Sequence, residues 1–299
     1  MRRRARCATM IEALRVLVAG GSGFIGTAIA RRLRAEGADV AIASLAGGVD
    51  LARWDAVEGL GRFAAIVHAA GRASVQDSFT SPWPYYHDHL LITLNLLELA
   101  RLSRARLVLA STYVYGTAPR VPAAEEHDAR AHSPYTASKL LAEGLCREYH
   151  RDFGVPVDVL RVFNAYGPGQ PDTFLVPRIV AGAVAGRIEL ADPAPRRDFV
   201  HVDDVARAFA LAARRAAGGF EIFNIGSGES RSADAVARTA ARLAGGAVEI
   251  VYSGAIRAAE IGDARADVAK AARELAWRAT IDFEAGLASL VAAAKGARS

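Results

Sequence analysis

The amino-acid sequence predicts an α/β protein with a doubly wound parallel sheet, followed by a smaller, mostly helical C-terminal lobe. Two observations carry this reading. Short, continuous apolar runs alternate with longer helical patterns from Arg15 to about Val162, the texture of strands buried on both faces and joined by helical crossovers. After Asn164 the alternation gives way to a Gly- and Pro-rich stretch and then to Ala-rich helical sequence. At 299 residues and 31.6 kDa the chain can bury a large core without a disulfide or a metal to hold it.

In chain order, residues 15–20, 39–44, 64–71, 105–111 and 157–163 read as buried parallel strands. Residues 24–35, 85–101 and 137–152 read as the helices between them. "AYGPGQPDTFLVP" is a long loop, and long loops at strand ends tend to carry function. A helix over 177–185, a short polar stretch, a helix from Asp203 and a strand-like "EIFNIG" follow. Residues 232–294 read as Ala-rich helix broken near 245–257. The expected division is a basic tail (1–12), a first domain (13–165, with 201–225 returning to it) and a second lobe (166–200 and 226–299).

Composition excludes several classes. With 52% hydrophobic and 23% charged residues the chain is neither disordered nor fibrous. No apolar run reaches the ~20 residues of a bilayer span. The first eleven residues carry four arginines and no apolar stretch, so no secretory signal is read and a cytoplasmic location with no membrane partner is expected. Arg2, Arg3, Arg4 and Arg6 supply four of the five net positive charges, leaving about +1 for the rest. Met10 is an alternative start beyond that tail. A basic stripe interleaved with aromatics does not occur later, so nucleic acid is not an expected partner. Cys7 and Cys146 match neither a disulfide framework nor a zinc spacing.

Gly20-Gly21-Ser22-Gly23-Phe24-Ile25-Gly26 joins the first strand to the first helix. Glycines there let the backbone turn sharply and approach a pyrophosphate at the positive end of the helix, which makes this a Rossmann-type dinucleotide site. The carboxylate that commonly grips the adenosine ribose at the end of the second strand is replaced by Ser44. A hydroxyl there can bind a ribose and does not repel a 2′-phosphate, so both NAD and NADP remain open. Asp50 lies where it could reach the adenine edge.

Tyr135 and Lys139 sit four residues apart, on one face of a helix. An adjacent ammonium stabilises a phenolate, which turns tyrosine into a general base. The chain has eight tyrosines and only three lysines, so this pairing is rarely met by chance. Ser111 ends the fourth strand, where parallel sheets face their ligands, and its hydroxyl can donate to a substrate oxygen that becomes a carbonyl.

"GGSGFIG", "HAAG", "STYVYG", "YTASK", "RVFNAYGPGQ", "RRDFVHVDDVA" and "FNIGSG" occur together and in order. With them the chain resembles the extended short-chain dehydrogenase/reductases, specifically the NAD-dependent epimerase/dehydratase family acting on nucleotide sugars, over residues 15–290. The resemblance implies that Ser111, Tyr135 and Lys139 form a catalytic triad, with Tyr135 and Lys139 also beside the nicotinamide ribose. It implies cofactor contacts from Gly20, Gly23, Phe24, Ile25, Gly26, Ser44, Asp50, Ala69 and Ala70. Asn164 would touch the sugar or its phosphate, and Arg197 and Arg257 would clamp the diphosphate, for which a planar guanidinium is suited.

Two departures narrow the reaction. Family 4,6-dehydratases carry an acidic pair after the catalytic hydroxyl; Thr112 and Tyr113 stand there instead, which argues against dehydration. His89 replaces a common asparagine. His87, Asp88 and His89 are too close in sequence to share a helix face, so no metal is expected. The leading reading is a nucleotide-sugar 4-epimerase using NAD or NADP through a transient 4-keto sugar. An NADPH-dependent 4-ketoreductase is the alternative, and a non-catalytic dinucleotide-binding regulator a third. Helices 85–101 and 137–152 resemble the family's dimer-forming pair, so a homodimer is expected.

Overall fold

The computed structural model describes residues 14–254 and 261–297. Its first half runs β1 (Arg15–Ala19), α1 (Phe24–Ala35), β2 (Asp39–Ala43), α2 (Trp54–Glu58), β3 (Ala65–His68), α3 (Val75–Thr80), α4 (Trp83–Ser103), β4 (Arg106–Thr112), α5 (Pro134–Phe153) and β5 (Val157–Val162). Next come β6 (Asn164–Tyr166), α6 (Leu175–Ala185), β7 (Arg187–Leu190), β8 (Arg196–His201), α7 (Val202–Ala213) and β9 (Phe220–Ile225). The chain finishes with β10 (Ser230–Ser232), α8 (Ala233–Ala244), β11 (Glu249–Tyr252), β12 (Asp263–Ala264), α9 (Ala269–Glu274) and α10 (Phe283–Gly296).

Six parallel strands form the main sheet in the order β2-β1-β3-β4-β5-β9. Their continuous apolar runs follow from burial on both faces. Val16, Val18, Val67, Val108 and Leu160 face α1 and α7, against Ile29, Leu33, Val205 and Phe209. Leu17, Ile66, Leu107, Leu109 and Val159 face α4 and α5, against Leu96, Leu97, Ala142 and Cys146. Successive strands leave β1 in opposite directions, β2 to one side and β3 to the other. A crevice therefore opens at the carboxyl ends of β1 and β3, the place where such sheets bind ligands.

The second lobe packs α6, α8 and α10 around Val180, Ile188, Val236 and Leu287. Here the sequence reading needs correction. The short polar stretch after α6 is strand β7, paired in parallel with β11 from within the expected helical break. β8 pairs with β6 and β12 in parallel and with β10 in antiparallel. In β7 only Ile188 and Leu190 are buried and Arg187 and Glu189 are exposed, so its two-residue period spans too few residues to stand out.

Two buried carboxylates join this lobe to the sheet. Asp204 on α7 accepts the Thr280 and Ile281 backbone N–H groups, 2.9 and 2.8 Å away. The indole of the fully buried Trp277 donates to the Asp204 carbonyl at 2.9 Å. Asp198 on β8 accepts from the N–H and hydroxyl of Ser227 at 2.6 and 2.7 Å, and from the N–H groups of Gly228 and Ala266, each at 3.0 Å. Its neighbour Arg197 is thereby carried on a strand fixed from both sides. Asp198→Asn turns an amide N–H₂ toward N–H donors, and each buried donor left unpaired costs about 1–3 kcal/mol. Urea unfolding of this variant should show a loss of roughly 2–4 kcal/mol; unchanged stability would contradict the role given to Asp198.

Candidate active site

The glycine loop separates structural from ligand demands. Gly20 has φ +82°, and a Cβ on it would lie 2.6 Å from the Ala70 backbone. A Cβ on Gly26 would lie 2.1 Å from the Gly20 carbonyl. Both glycines are thus required by the protein's own packing, which seats the loop on Ala69 and Ala70. Gly23 differs: a Cβ there would meet only the Gly20 carbonyl, at an ordinary 3.4 Å. Gly23 also caps α1 without a side-chain hydrogen bond, and the first turn holds no acid. Open space before uncapped helical N–H groups fits a pyrophosphate. Phe24 and Ile25 open the helix half-buried on the core, and Thr27 ties it back by donating to the Gly21 carbonyl at 3.1 Å. A cleft of about 120 Å³ lies between this turn and Pro168–Gly169 of the long loop.

At the end of β2 the buried Ser44 accepts the Gly47 N–H at 3.3 Å, capping the turn Leu45–Gly47. Its hydroxyl hydrogen is not used in that bond. Asp50 is exposed and accepts the Ala52 N–H at 3.0 Å.

Helix α5 begins in a capping box between Ser133 and Thr136, which fixes Tyr135 in the first turn and Lys139 one turn on. Tyr135 is half-buried, its ring 6.3 Å from that of Tyr85 and 5.9 Å from that of His89. Burial raises the phenol's pKa above its ordinary value, and a hydrogen bond with Thr112 pulls the other way. The Lys139 ammonium is buried and donates to the Ala110 carbonyl at 3.0 Å. Burial pushes its pKa down to about 8, against the pull of the Glu143 carboxylate.

Ser111 donates its hydroxyl to Glu143. Glu143 in turn takes both arms of Arg161, at 3.1 and 2.7 Å, all three residues being buried. Arg161 donates to the Tyr115 hydroxyl at 2.9 Å, which donates to Asn224 at 2.7 Å. With its hydrogen on Glu143, Ser111 keeps only lone pairs, which corrects the expectation that it donates to a substrate oxygen; the hydroxyl beside the phenol is that of Thr112. Sequence reasoning named Ser111 and passed over Thr112; its only signal was its place at the end of the same strand. Tyr113, where dehydratases carry an acid, donates to the Gly116 carbonyl at 2.7 Å.

Asn164 on β6 donates to the Asp198 carbonyl at 3.4 Å. The half-buried Arg197 donates to the carbonyls of Arg196 and Ile261 at 2.8 and 2.7 Å. Its charge pulls the Tyr113 phenol's pKa down against the larger effect of burial, which raises it. Arg257 lies outside the described residues. His87 contacts Asp88 at 3.0 Å, and His89 turns away toward α5. Among the described residues, no group of three His, Cys, Asp or Glu side chains is placed to hold a metal.

The NAD dependent epimerase/dehydratase family matches residues 16–226. A UDP-glucuronate 4-epimerase of Thermodesulfobacterium geofontis is 34% identical over 228 residues, 75% of this chain and 70% of that protein. A GDP-6-deoxy-D-mannose reductase of Pseudomonas aeruginosa is 30% identical over 292 residues, covering 93% and 96%. The crystal structure of a UDP-glucose 4-epimerase from Thermotoga maritima with UDP-glucose superposes with a TM-score of 0.88 at 26% identity, over 96% of this chain and all of that one. Other structural neighbours hold NAD or NADPH. The chain belongs to the NAD dependent epimerase/dehydratase family and is an NAD(P)-dependent enzyme.

Because the fold has room for a side chain at Gly23, Gly23→Asp separates folding from binding. Calorimetry should show dinucleotide affinity lost through bulk and like charge, with the unfolding midpoint little changed. Equal affinity in both proteins would remove these glycines from the phosphate site.

Proposed function

We propose that this protein is a nucleotide-sugar 4-epimerase acting through a transient 4-keto sugar. The observation that carries the reading is the Tyr135–Lys139 pair at the carboxyl end of the sheet, beside a glycine loop that keeps room for a pyrophosphate. Gly20, Gly23, Phe24, Ile25 and Gly26 would hold the phosphates, with Ser44, Asp50, Ala69 and Ala70 along the adenosine side and Lys139 at the second ribose. The dinucleotide, when bound, supplies a hydride acceptor and donor at sugar C4.

Tyr135 takes the proton of the C4 hydroxyl as that O–H electron pair becomes the second bond of a carbonyl, and gives the proton back in the return step. Lys139 stabilises the phenolate, and Thr112 donates to it. Ser111, its own hydrogen fixed on Glu143, is left with lone pairs that accept from a neighbouring sugar hydroxyl rather than from the reacting C4 oxygen. Arg197 and Arg257 clamp the diphosphate and Asn164 borders the sugar. Neither Thr112 nor Tyr113 can act as the acid that a dehydration needs, which supports epimerisation over loss of water. Leu91 and Leu94 of α4 and Leu141 and Phe153 of α5 are exposed on neighbouring helices, and this apolar face supports a homodimer.

A 4-ketoreductase consuming NADPH is the second reading. It is favoured by Ser44, which presents no carboxylate to a 2′-phosphate, and by likeness to the GDP-6-deoxy-D-mannose reductase along nearly the whole chain.

Incubation with 4-hydroxy and 4-keto nucleotide sugars, with and without NADPH, separates the two. Interconversion of hydroxy epimers without added NADPH is expected. Turnover of the keto sugar alone, with matching NADPH oxidation, would favour the reductase. Tyr135→Phe deletes only the proton-transferring oxygen and should lower kcat by about 10²–10⁴-fold in a folded protein; full activity in it would defeat both readings. The Lys139 ammonium is complete below a pKa of about 8 and lost above it. Activity should therefore decline as pH rises past that value, and a rate still climbing well above it would contradict the role of the cation.

A further inference from the structure

His89 lies against the catalytic tyrosine and has no part in the chemistry above. It is 1% exposed, on α4, and reaches two other elements. Its Nε2 is 3.1 Å from the Arg72 carbonyl, and its Nδ1 is 2.7 Å from the Ser138 hydroxyl on α5. A carbonyl only accepts, so Nε2 carries the hydrogen and donates to Arg72. Nδ1 is then the acceptor, and the single Ser138 hydrogen is shared between it and the Tyr135 carbonyl, 2.8 Å from the same hydroxyl. Burial, with the Lys139 cation nearby, holds the ring neutral, its pKa pushed down to about 2. One tautomer is fixed by both partners.

The ring also acts by contact. Gly71 has φ +121°, and a Cβ there would come within 2.5 Å of the His89 ring, so the loop after β3 lies directly on the imidazole. That loop begins with Ala69 and Ala70, whose backbone seats Gly20. On its other side His89 meets the Tyr135 ring at 5.9 Å and 63°, and Tyr85 closes the cage, 6.3 Å from Tyr135 and 6.1 Å from His89. A single imidazole thus spans the strand end beneath the glycine loop and the first turn of α5.

We propose that His89 is a positioning residue, a hydrogen-bonded strut between the residue 69–72 loop and α5 that holds the Tyr135 phenol at a fixed place relative to the dinucleotide site. The functional part of this inference rests on the epimerase reading; the geometric part does not. His89→Phe keeps the volume and deletes both hydrogen bonds. His89→Gln returns an amide N–H near the Nε2 position. Ser138→Ala removes the bond on the α5 side, together with the contact of the same hydroxyl to the Tyr135 carbonyl, and keeps the one to Arg72.

A misplaced reacting group costs about 10²-fold in rate, so His89→Phe should lower kcat by about that factor with KM for the sugar within about threefold of the native protein. His89→Gln should recover about tenfold, and Ser138→Ala should lose about tenfold, since each variant keeps one of the two bonds. The second readout needs no turnover: ¹⁹F NMR of protein carrying 3-fluorotyrosine, with the Tyr135 signal assigned by its absence in Tyr135→Phe. That signal should be single and narrow in the native protein, broadened or split in His89→Phe, and narrow again in His89→Gln. An unaltered signal in His89→Phe would overturn the proposal, as would a Gln variant no better than Phe in a folded protein. If His89→Phe does not fold, Ser138→Ala decides, and an unaltered Tyr135 signal and kcat there also overturn it. A native protein inactive on every nucleotide sugar but with the expected ¹⁹F pattern would defeat the epimerase reading and leave the strut standing.

Discussion

Burying the Lys139 ammonium at the end of β4 costs several kcal/mol of hydration, and much of the surrounding structure exists to tolerate it. The ammonium donates to the Ala110 carbonyl, and the Glu143 carboxylate one turn further along α5 favours its charge. Glu143 is itself held by Arg161 and Ser111, so the cation sits beside a buried charge network whose members are paired. The price is a pKa near 8, low enough to lose the charge in mild base and high enough to keep it at neutral pH. Burial drives the half-buried Tyr135 phenol the other way, against the pull of a hydrogen bond with Thr112.

The sheet brings this pair to its ligand. β1 and β3 diverge in connectivity, which opens the crevice; β4, next to β3, ends in Ser111 and Thr112. Helix α5 returns across the same face and delivers Tyr135 and Lys139 to that edge from a capped start. On the far side, β8 carries Arg197 and is tied by Asp198 to the turn after β9 and to Ala266, just past β12. The glycine loop, the Tyr135–Lys139 pair and Arg197 come from three separate parts of the chain, before α1, on α5 and on β8.

Local sequence was enough for the parts that repeat or are spaced by the backbone. The five strand-like runs of the first domain, the strand-to-helix glycine loop and the Tyr135–Lys139 spacing each follow from periodicity or from one helical turn. The strands of the second lobe other than β8 are not legible because two to four residues leave too short a period, and β8 because its four consecutive buried residues show no alternation. Thr112 and the Glu143–Arg161 pair were missed for another reason: their roles depend on register between β4 and β5 and on the packing of α5, with Ser111 opposite Arg161. The sequence marks His89 as a replacement for a common asparagine and as a metal ligand that helix geometry argues against, and neither points to its contacts. Its partners, Arg72 and Ser138, lie 17 and 49 residues away, a distance no local pattern spans. Ser44 was placed correctly at the end of a strand, but its capping of the next turn is visible only in three dimensions.

The epimerase reading states that the hydrogen leaving C4 returns to the same sugar. A nucleotide sugar carrying deuterium at C4, mixed with an unlabelled one bearing a distinguishable ring label, tests this directly by mass spectrometry. The account predicts that the C4 epimer forms with its deuterium retained, without exchange with solvent and without crossover into the unlabelled sugar. Deuterium appearing in a pool of free dinucleotide, or product that forms only when NADPH is supplied and carries its hydrogen, would contradict it.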